Sequence, residues 1–139
     1  MLDIDSYKNY SKPVLRYGLG LVFIWFGINQ FQYPSRWTYA LPSFFSSFSI
    51  SPETFIYFNA TFDLTFGILL ILGFFVRFVS FALCIHLLAI ILSVGFNGAG
   101  VRDFGLLTAC LAIFLNGTDK FCLNSKRLKK GKQKIKQYI

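Results

Sequence analysis

The chain has 139 residues, of which 55% are hydrophobic and only 14% are charged, whereas a soluble domain usually has about a quarter of its residues charged. The length allows one domain. The net charge of +8 arises from fourteen Lys and Arg, and eight of them follow Asp119. Because these charges form a terminal tail and are not interleaved with aromatic residues, nucleic acid is excluded as the expected partner. The nearly uncharged middle predicts a membrane-embedded core, with the lipid bilayer as partner.

Residues 1–12 are predicted to form a polar cytoplasmic segment, and the apolar run that follows, residues 13–31, is long enough to cross a bilayer. Pro13 suits the first turn of a helix. Arg16 lies inside the run, and no small-residue cleavage site follows it. We therefore predict a retained first helix and not a signal peptide.

The next segment, residues 32–53, contains three prolines, recurrent serines and several aromatic residues. It is too polar and too broken to span a membrane, and too aromatic for a free linker. Because Trp and Tyr prefer the membrane interface, we expect an aromatic, partly re-entrant loop on the outer surface. A short interfacial helix is expected within residues 43–48.

Three further helices are predicted over residues 52–76, 78–96 and 101–115. Ser51 can cap the first of these, and Pro52 can occupy its first position. The very short link that follows makes the second and third helices of the bundle antiparallel neighbours. The glycine-rich stretch at 97–100 breaks the chain again. The predicted fold class is all-α: an integral membrane four-helix bundle over residues 13–117, followed by a basic cytoplasmic tail over residues 118–139.

The distribution of Lys and Arg near the helix ends predicts the orientation. If the N-terminus is inside, the cytoplasmic side holds twelve of the fourteen, and the outer side holds only Arg36 and Arg102. Four spans place both termini on the same side. We therefore predict a multi-pass protein of the cytoplasmic membrane with both termini in the cytoplasm.

Asp63 is the acidic residue that we expect deepest within an apolar segment. A carboxylate in hydrocarbon is costly, so it should face other protein and have a partner. Asn59, Asp63 and Gly67 are spaced four apart and share one helix face. On the third helix, the corresponding inward stripe is predicted to be Ala82, His86, Ala89 and Ser93.

Three arginines are candidate partners for Asp63. Arg77 lies fourteen positions away on the same helix, roughly 21 Å by helical rise, and cannot reach. We predict an ion pair with Arg102, with Arg16 as the second choice and His86 or Asn29 as neutral partners. The complete predicted buried polar centre is Asp63, Arg102, Asp103, Arg16, Asn59, His86, Asn29 and Gln30.

The sequence contains no recognisable catalytic motif, neither a nucleophile–base arrangement nor a P-loop nor a dinucleotide fingerprint. Its three cysteines form no CxxC pair, so neither a disulfide framework nor a zinc site is expected. His86 is the single histidine and cannot supply two haem ligands. No metal site is predicted, and whether the chain is an enzyme stays open.

Three groups of residues resemble the DoxX/DoxD-like family of small membrane proteins. In chain order they are residues 15–18 with 26–31, Pro34 and 37–42; residues 63–73 with Arg77; and residues 102–107 leading to Asn116 and Gly117. The resemblance covers residues 12–124 and implies four spans with an acidic residue early in the second helix. Family members commonly carry Glu at the position of Asp63 and Lys at that of Asn29 and Gln30.

The family takes its name from a subunit of a thiosulfate:quinone oxidoreductase, and other members associate with redox or thiol-stress systems. The resemblance implies a membrane subunit or anchor of a redox system, with quinone as a candidate cofactor and a redox protein as a candidate partner. Two alternatives stay open. One is a small-solute carrier or channel that works as a homo-oligomer, since four spans line a pore poorly alone. The other is a structural or assembly factor in which Asp63 only holds helices together.

Overall fold

A computed structural model describes residues 4–42 and 50–123. The four helices are α1 (Ile4–Gln32), α2 (Pro52–Leu72), α3 (Val76–Val94) and α4 (Gly98–Asn116). Each contains a segment that is long and apolar enough to cross a membrane, and the described residues include no strand. The predicted all-α four-helix membrane bundle is therefore confirmed.

The helices run up and down, so the bundle has two ends. The loop end carries the α1–α2 loop and the α3–α4 turn, and the terminal end carries the start of α1, the segment after α4 and the α2–α3 turn. Beyond α1 the loop forms two single-turn 3₁₀ helices, Pro34–Arg36 and Thr38–Ala40. The short interfacial helix expected within residues 43–48 lies outside the described residues.

The start of α1 differs from the prediction, because the helix begins at Ile4 and Pro13 lies inside it. Residues 4–12 contain neither glycine nor proline, so nothing in that polar segment stops a helix. Pro13 removes one backbone hydrogen bond, and the helix continues through it. Thus α1 extends beyond the apolar run.

Side-chain caps set the starts of α2 and α4. The Ser51 hydroxyl accepts a hydrogen bond from the Thr54 N–H, as predicted. At α4, the Asn97 side chain accepts from the N–H groups of Ala99 and Gly100, at 3.0 and 3.1 Å. These bonds satisfy donors that a helix N-terminus otherwise leaves unpaired, so α4 begins at Gly98 and not at 101.

Glycines allow α1 and α2 to pack with their backbones almost in contact. A Cβ atom at Gly27 would lie 2.9 Å from the Ala60 carbonyl oxygen, and one at Gly67 would lie 3.0 Å from the Gly20 carbonyl oxygen. Small residues at an interface let membrane helices approach in this way. Backbones approach closely between α1 and α2 and between α3 and α4, and much less between α2 and α3. The bundle is therefore two helix pairs.

Toward the terminal end, the interior is apolar. Seven of its buried residues, nearly or fully inaccessible, are Leu19, Phe23, Leu70, Val79, Leu83, Cys110 and Ile113. We call this set the apolar layer. Large apolar side chains also cover the outside of the bundle, for example Phe58, Leu92 and Leu115, as expected for lipid-facing helices.

The buried face of α3 differs from the predicted stripe. It consists of Val76, Val79, Ser80, Leu83, Leu87 and Ile91. Of the predicted stripe, Ala89 is exposed and His86 lies at the edge of the buried face. Close packing of branched side chains, and not polarity, decides which face of this helix turns inward.

Gly27→Ala tests the close approach of α1 and α2. The added Cβ would lie 2.5 Å from Leu64 Cγ as well as against the Ala60 carbonyl, so the helices must move apart. We expect a loss of about 1–3 kcal/mol in the free energy of unfolding, measured by thermal denaturation in detergent. Gly18→Ala, on the same helix with nothing within 4 Å of its Cβ, is the matched control. Equal stability of the two variants would contradict the packing described.

Candidate functional site, a polar cavity between the helices

The carboxylate of Asp63 is buried between α1 and α2, with 2% of the residue exposed. The Gln30 side-chain amide donates to Asp63 Oδ2 at 2.9 Å. The Asn59 amide donates to the same oxygen at 3.3 Å and to Gln30 Oε1 at 2.9 Å. Two neutral amides from adjacent helices therefore hold one oxygen of the carboxylate in a closed network.

The other carboxylate oxygen faces the single histidine. His86 Nε2 lies 3.2 Å from Asp63 Oδ1, but the contact does not have hydrogen-bond geometry. Both atoms are buried without a hydrogen-bond partner among the described residues. Buried polar atoms nearly always have partners, so this unsatisfied pair distinguishes the site from ordinary packing.

Aromatic rings fix the position of the imidazole. The ring centroids of His86 and Phe62 are 4.6 Å apart, and Phe62 stacks on Phe66 at 4.1 Å. This stack fills the space between α2 and α3, where the two backbones approach each other less closely. His86 is thereby held toward Asp63, across the gap between the two helix pairs.

A cavity of about 60 Å³ adjoins this pair, enough for a few water molecules or a small group. All four helices and the loop line it. Its polar lining residues are Gln30, Asn59, Asp63, His86, Arg102 and Asp103. Its other lining residues, mostly aromatic or aliphatic, are Phe23, Phe26, Trp37, Tyr39, Ala40, Leu41, Ile56, Leu87, Ile90 and Val94. Apolar walls with a few convergent polar groups are typical of a ligand site.

Arg102 lies toward the loop end of the cavity and does not pair with Asp63, so the predicted ion pair is wrong. Its Nε donates to Asp103 Oδ1 at 2.7 Å, and its guanidinium lies 4.9 Å from the centre of the Phe26 ring. The Arg102 side chain is 43% exposed, whereas Asp103 is as buried as Asp63. Asp103 lies near the start of α4 and in the cavity wall.

Trp37 covers the loop end of the bundle. Its indole N–H donates to Asn29 Oδ1 at 3.0 Å, and its ring meets Phe26 edge-on at 5.6 Å. Asn29 therefore anchors the loop and is not the neutral partner of Asp63 that we considered. The aromatic loop contributes Trp37 and Tyr39 to the cavity wall.

Arg16 lies near the opposite end of the bundle and is not part of the polar centre, contrary to the prediction. It is 1% exposed. Its Nε donates to Asp119 Oδ2 at 2.7 Å, and its Nη1 donates to the carbonyl oxygens of Leu70 and Ile71 in the last turn of α2. A cation at a helix C-terminus is favourable. The guanidinium thus joins α1, α2 and the segment after α4.

Asp119 lies beyond α4, outside the candidate membrane spans, and its contact with Arg16 affects the pKa of its carboxyl group. Burial alone would raise the pKa of its carboxyl group. The hydrogen bonds from Arg16 and from the Phe121 N–H outweigh this effect and hold the pKa below its usual range. Its own N–H donates to Cys122 Sγ at 3.3 Å. Burial raises the pKa of that thiol, which favours the neutral, unreactive form.

Six of the eight predicted site residues line one cavity, namely Asp63, Arg102, Asp103, Asn59, His86 and Gln30. Asn29 supports the wall through Trp37, and Arg16 lies elsewhere. The prediction missed Phe62, which positions the imidazole, and Asp119, which neutralises Arg16. A signal existed for Asp119, since it is the acidic residue that follows the last span, at the end of the bundle where Arg16 begins its helix.

Fold and site together define a small multi-pass helical membrane protein with a polar cavity between its helix pairs. The family model for DoxX matches residues 12–95, more than half of the chain. The chain belongs to the DoxX family. The match covers α1 to α3, including Asp63 and His86, and ends before α4. Neither the curated proteins nor the solved structures searched contain a significant match.

The depressed pKa of Asp119 predicts a pH dependence of stability. Because the folded-state pKa lies below the unfolded one, the ion pair stabilises fully above about pH 4 and loses its contribution as pH falls through the folded pKa. Asp119→Asn leaves Arg16 buried without a counter-charge, which costs about 3–5 kcal/mol. We expect the difference in Tm between wild type and Asp119→Asn to be large at pH 7 and to shrink toward pH 3.

Glu53→Gln is the control, because Glu53 is a half-buried carboxylate in the first turn of α2, remote from Arg16. It should alter the Tm less than Asp119→Asn does at pH 7. A difference between wild type and Asp119→Asn that stays constant down to pH 3 would contradict the ion pair.

Proposed function

We propose that the chain is the membrane subunit of a redox system and that its cavity receives a carbonyl of a quinone headgroup. The observation that carries this proposal is a pair of buried atoms, Asp63 Oδ1 and His86 Nε2, that have no hydrogen-bond partner in the described part of the chain. Both residues line an aromatic-walled cavity. A quinone carbonyl accepts a hydrogen bond, and a quinol hydroxyl donates one. A pair that can donate and accept therefore suits both forms, and the aromatic walls suit the ring.

The chemistry that a bound quinone supplies is the uptake of two electrons and two protons as it becomes a quinol. The residues around the cavity handle the proton. Asp63 and His86, whose facing atoms lie 3.2 Å apart, can each exchange a proton with a group bound in the cavity. Gln30 and Asn59 hold the second carboxylate oxygen, so Asp63 keeps its orientation when the proton moves. The electrons come from a partner redox protein, for which this chain serves as subunit or anchor.

The proposal includes an orientation in the cytoplasmic membrane, with both termini in the cytoplasm and the loop end outside. The position of twelve of the fourteen Lys and Arg supports it. A green fluorescent protein fused after residue 139 should fluoresce, and alkaline phosphatase fused there should be inactive, because each reporter works on one side only. The opposite pattern would reverse the orientation.

A second candidate function, that of a structural or assembly factor, is favoured by the amide network on Asp63. Gln30 and Asn59 tie α1 to α2 through the carboxylate, which is what a purely structural group does. In that case Asp63→Asn lowers abundance or thermal stability and leaves the ligand affinity of each folded molecule unchanged.

Quinone binding is measured through Trp37, which lies in the cavity wall. The chain has two tryptophans, so Trp25→Phe leaves Trp37 as the sole emitter. A short-chain ubiquinone analogue should quench this emission saturably in detergent-solubilised protein. Asp63→Asn and His86→Phe should each weaken binding by about tenfold or more, since a lost hydrogen bond in a buried site costs about 1–3 kcal/mol.

Ser93→Ala is the matched control on α3, because its hydroxyl donates to the Ala89 carbonyl and does not line the cavity. It should bind the analogue as the parent does. Quenching that is non-saturable, or equal in all variants, would exclude the quinone site. Reduced thermal stability with unchanged affinity in Asp63→Asn would favour the structural role.

A further inference from the structure

We propose that the Asp63–His86 pair exchanges water and protons with only one side of the membrane, the side at the loop end. The inference rests on the proposed function only for the purpose that the proton exchange serves. The route itself is inferred from burial and hydrogen bonding. Two observations carry it: polar and partly exposed residues on one side of the pair, and a closely packed, mostly apolar interior on the other.

Toward the loop end, polar groups continue from the pair to the surface. Asp103 and Arg102 line the same cavity as Asp63 and His86. The Arg102 side chain is 43% exposed, and Tyr39, also in the cavity wall, is 56% exposed. Water can therefore meet a hydrogen-bonding group at each stage between the pair and this end of the bundle.

Toward the terminal end, the apolar layer lies between the pair and the surface. Leu70, Leu83 and Cys110 are fully buried, and Leu70 lies seven residues beyond Asp63 on α2, roughly 10 Å by helical rise. The buried hydroxyl nearby, Ser80, donates to the Val76 carbonyl and offers no free group. An unpaired ion in so apolar a layer is strongly disfavoured.

Arg16 borders the apolar layer on the side of the terminal end. Its guanidinium is 1% exposed and donates to Asp119 and to the last carbonyls of α2. A small pocket of about 10 Å³ adjoins Arg16 and Asp119, but the two side chains are already bonded to each other. Protons from the terminal side thus meet a satisfied ion pair first and about 10 Å of packed hydrocarbon next.

Among the described residues, few charged or titratable groups lie near the Asp63–His86 pair. On α4 they are Asp103 and its partner Arg102. On α1 and α2 the facing polar groups are the neutral amides of Gln30 and Asn59. Apart from the buried thiol of Cys110, the side chains of the apolar layer have no titratable group, so the charged groups that can relay a proton lie between the pair and the loop end.

Accessibility to Ag⁺, a small cation that blocks thiols, tests this inference without a quinone. Single cysteines are placed at Ile90, in the cavity wall, and at Leu83, in the apolar layer on the same helix. Arg36→Cys marks the loop side and Lys120→Cys the terminal side, since both residues are exposed. Sealed vesicles receive Ag⁺ on one side, and free thiols are then labelled with a maleimide after denaturation and located by mass spectrometry. The three native cysteines give the background.

We expect Ile90→Cys to be protected by Ag⁺ from the side that protects Arg36→Cys, at least tenfold faster than from the other side. Leu83→Cys should be protected from neither side. Protection of Ile90→Cys or Leu83→Cys from the side of Lys120→Cys, or no protection of Ile90→Cys at all, would overturn one-sided access. Val94→Cys is a second cavity position, and a melting curve in detergent confirms that each variant is folded. The result is independent of quinone binding, so failure of the route and failure of the proposed function are read separately.

Discussion

The structure depends on how a carboxylate is accommodated at mid-depth in an apolar bundle. A buried carboxylate without donors is too costly to keep ionised. Asp63 meets this constraint with neutral amides from Gln30 and Asn59 and with the imidazole of His86. These contacts need α1 close to α2, which the glycines at the interface permit. The hydrogen bonding of Asp63 therefore depends on the close packing of α1 and α2. Without the glycine contacts, Gln30 could not reach the carboxylate.

Neither Arg16 nor Arg102 pairs with Asp63, because each has a carboxylate partner of its own. Arg16 and Arg102 each pair with a carboxylate near one end of the bundle, Asp119 and Asp103 respectively. Each pair is neutral overall. The Arg16–Asp119 pair joins α1 to the segment after α4, whereas Arg102 and Asp103 are consecutive residues of α4. The middle of the bundle then contains a carboxylate and an imidazole whose facing atoms have no hydrogen-bond partner within residues 4–42 and 50–123. Such an arrangement is poor as a structural clamp and suited to binding a group that supplies the missing hydrogen bonds.

The sequence alone was sufficient to predict the four spans and most of the polar residues that line the cavity. Long apolar runs predict four helices, and the four-residue spacing of Asn59, Asp63 and Gly67 predicts the face that meets α1. The ion pairs were not predictable in the same way, because helical spacing says nothing about which way a long side chain turns. Arg102 folds back onto its neighbour Asp103, and Arg16 reaches a residue beyond the last helix.

The face of α3 was mispredicted for a related reason. Small and polar residues were expected inward, but Leu83, Leu87 and Ile91 are the ones buried. In a membrane the lipid solvates apolar and small residues alike, so the inward face is chosen by how well side chains interlock. His86 lies at the margin of that face, where it can reach the gap between the helix pairs. Periodicity alone cannot distinguish such a margin from the centre of the face.

The depth of Asp63 has an electrical consequence. It is near the midpoint of α2, which has 21 residues, and hence near the middle of any bilayer that this helix crosses. A proton that travels from one surface to this carboxylate moves through about half of the transmembrane field. At roughly 2.3 kcal/mol per charge for each 100 mV across the whole membrane, that is about 1 kcal/mol. Any cation that enters the cavity from one surface and reaches the depth of Asp63 is therefore subject to the membrane potential.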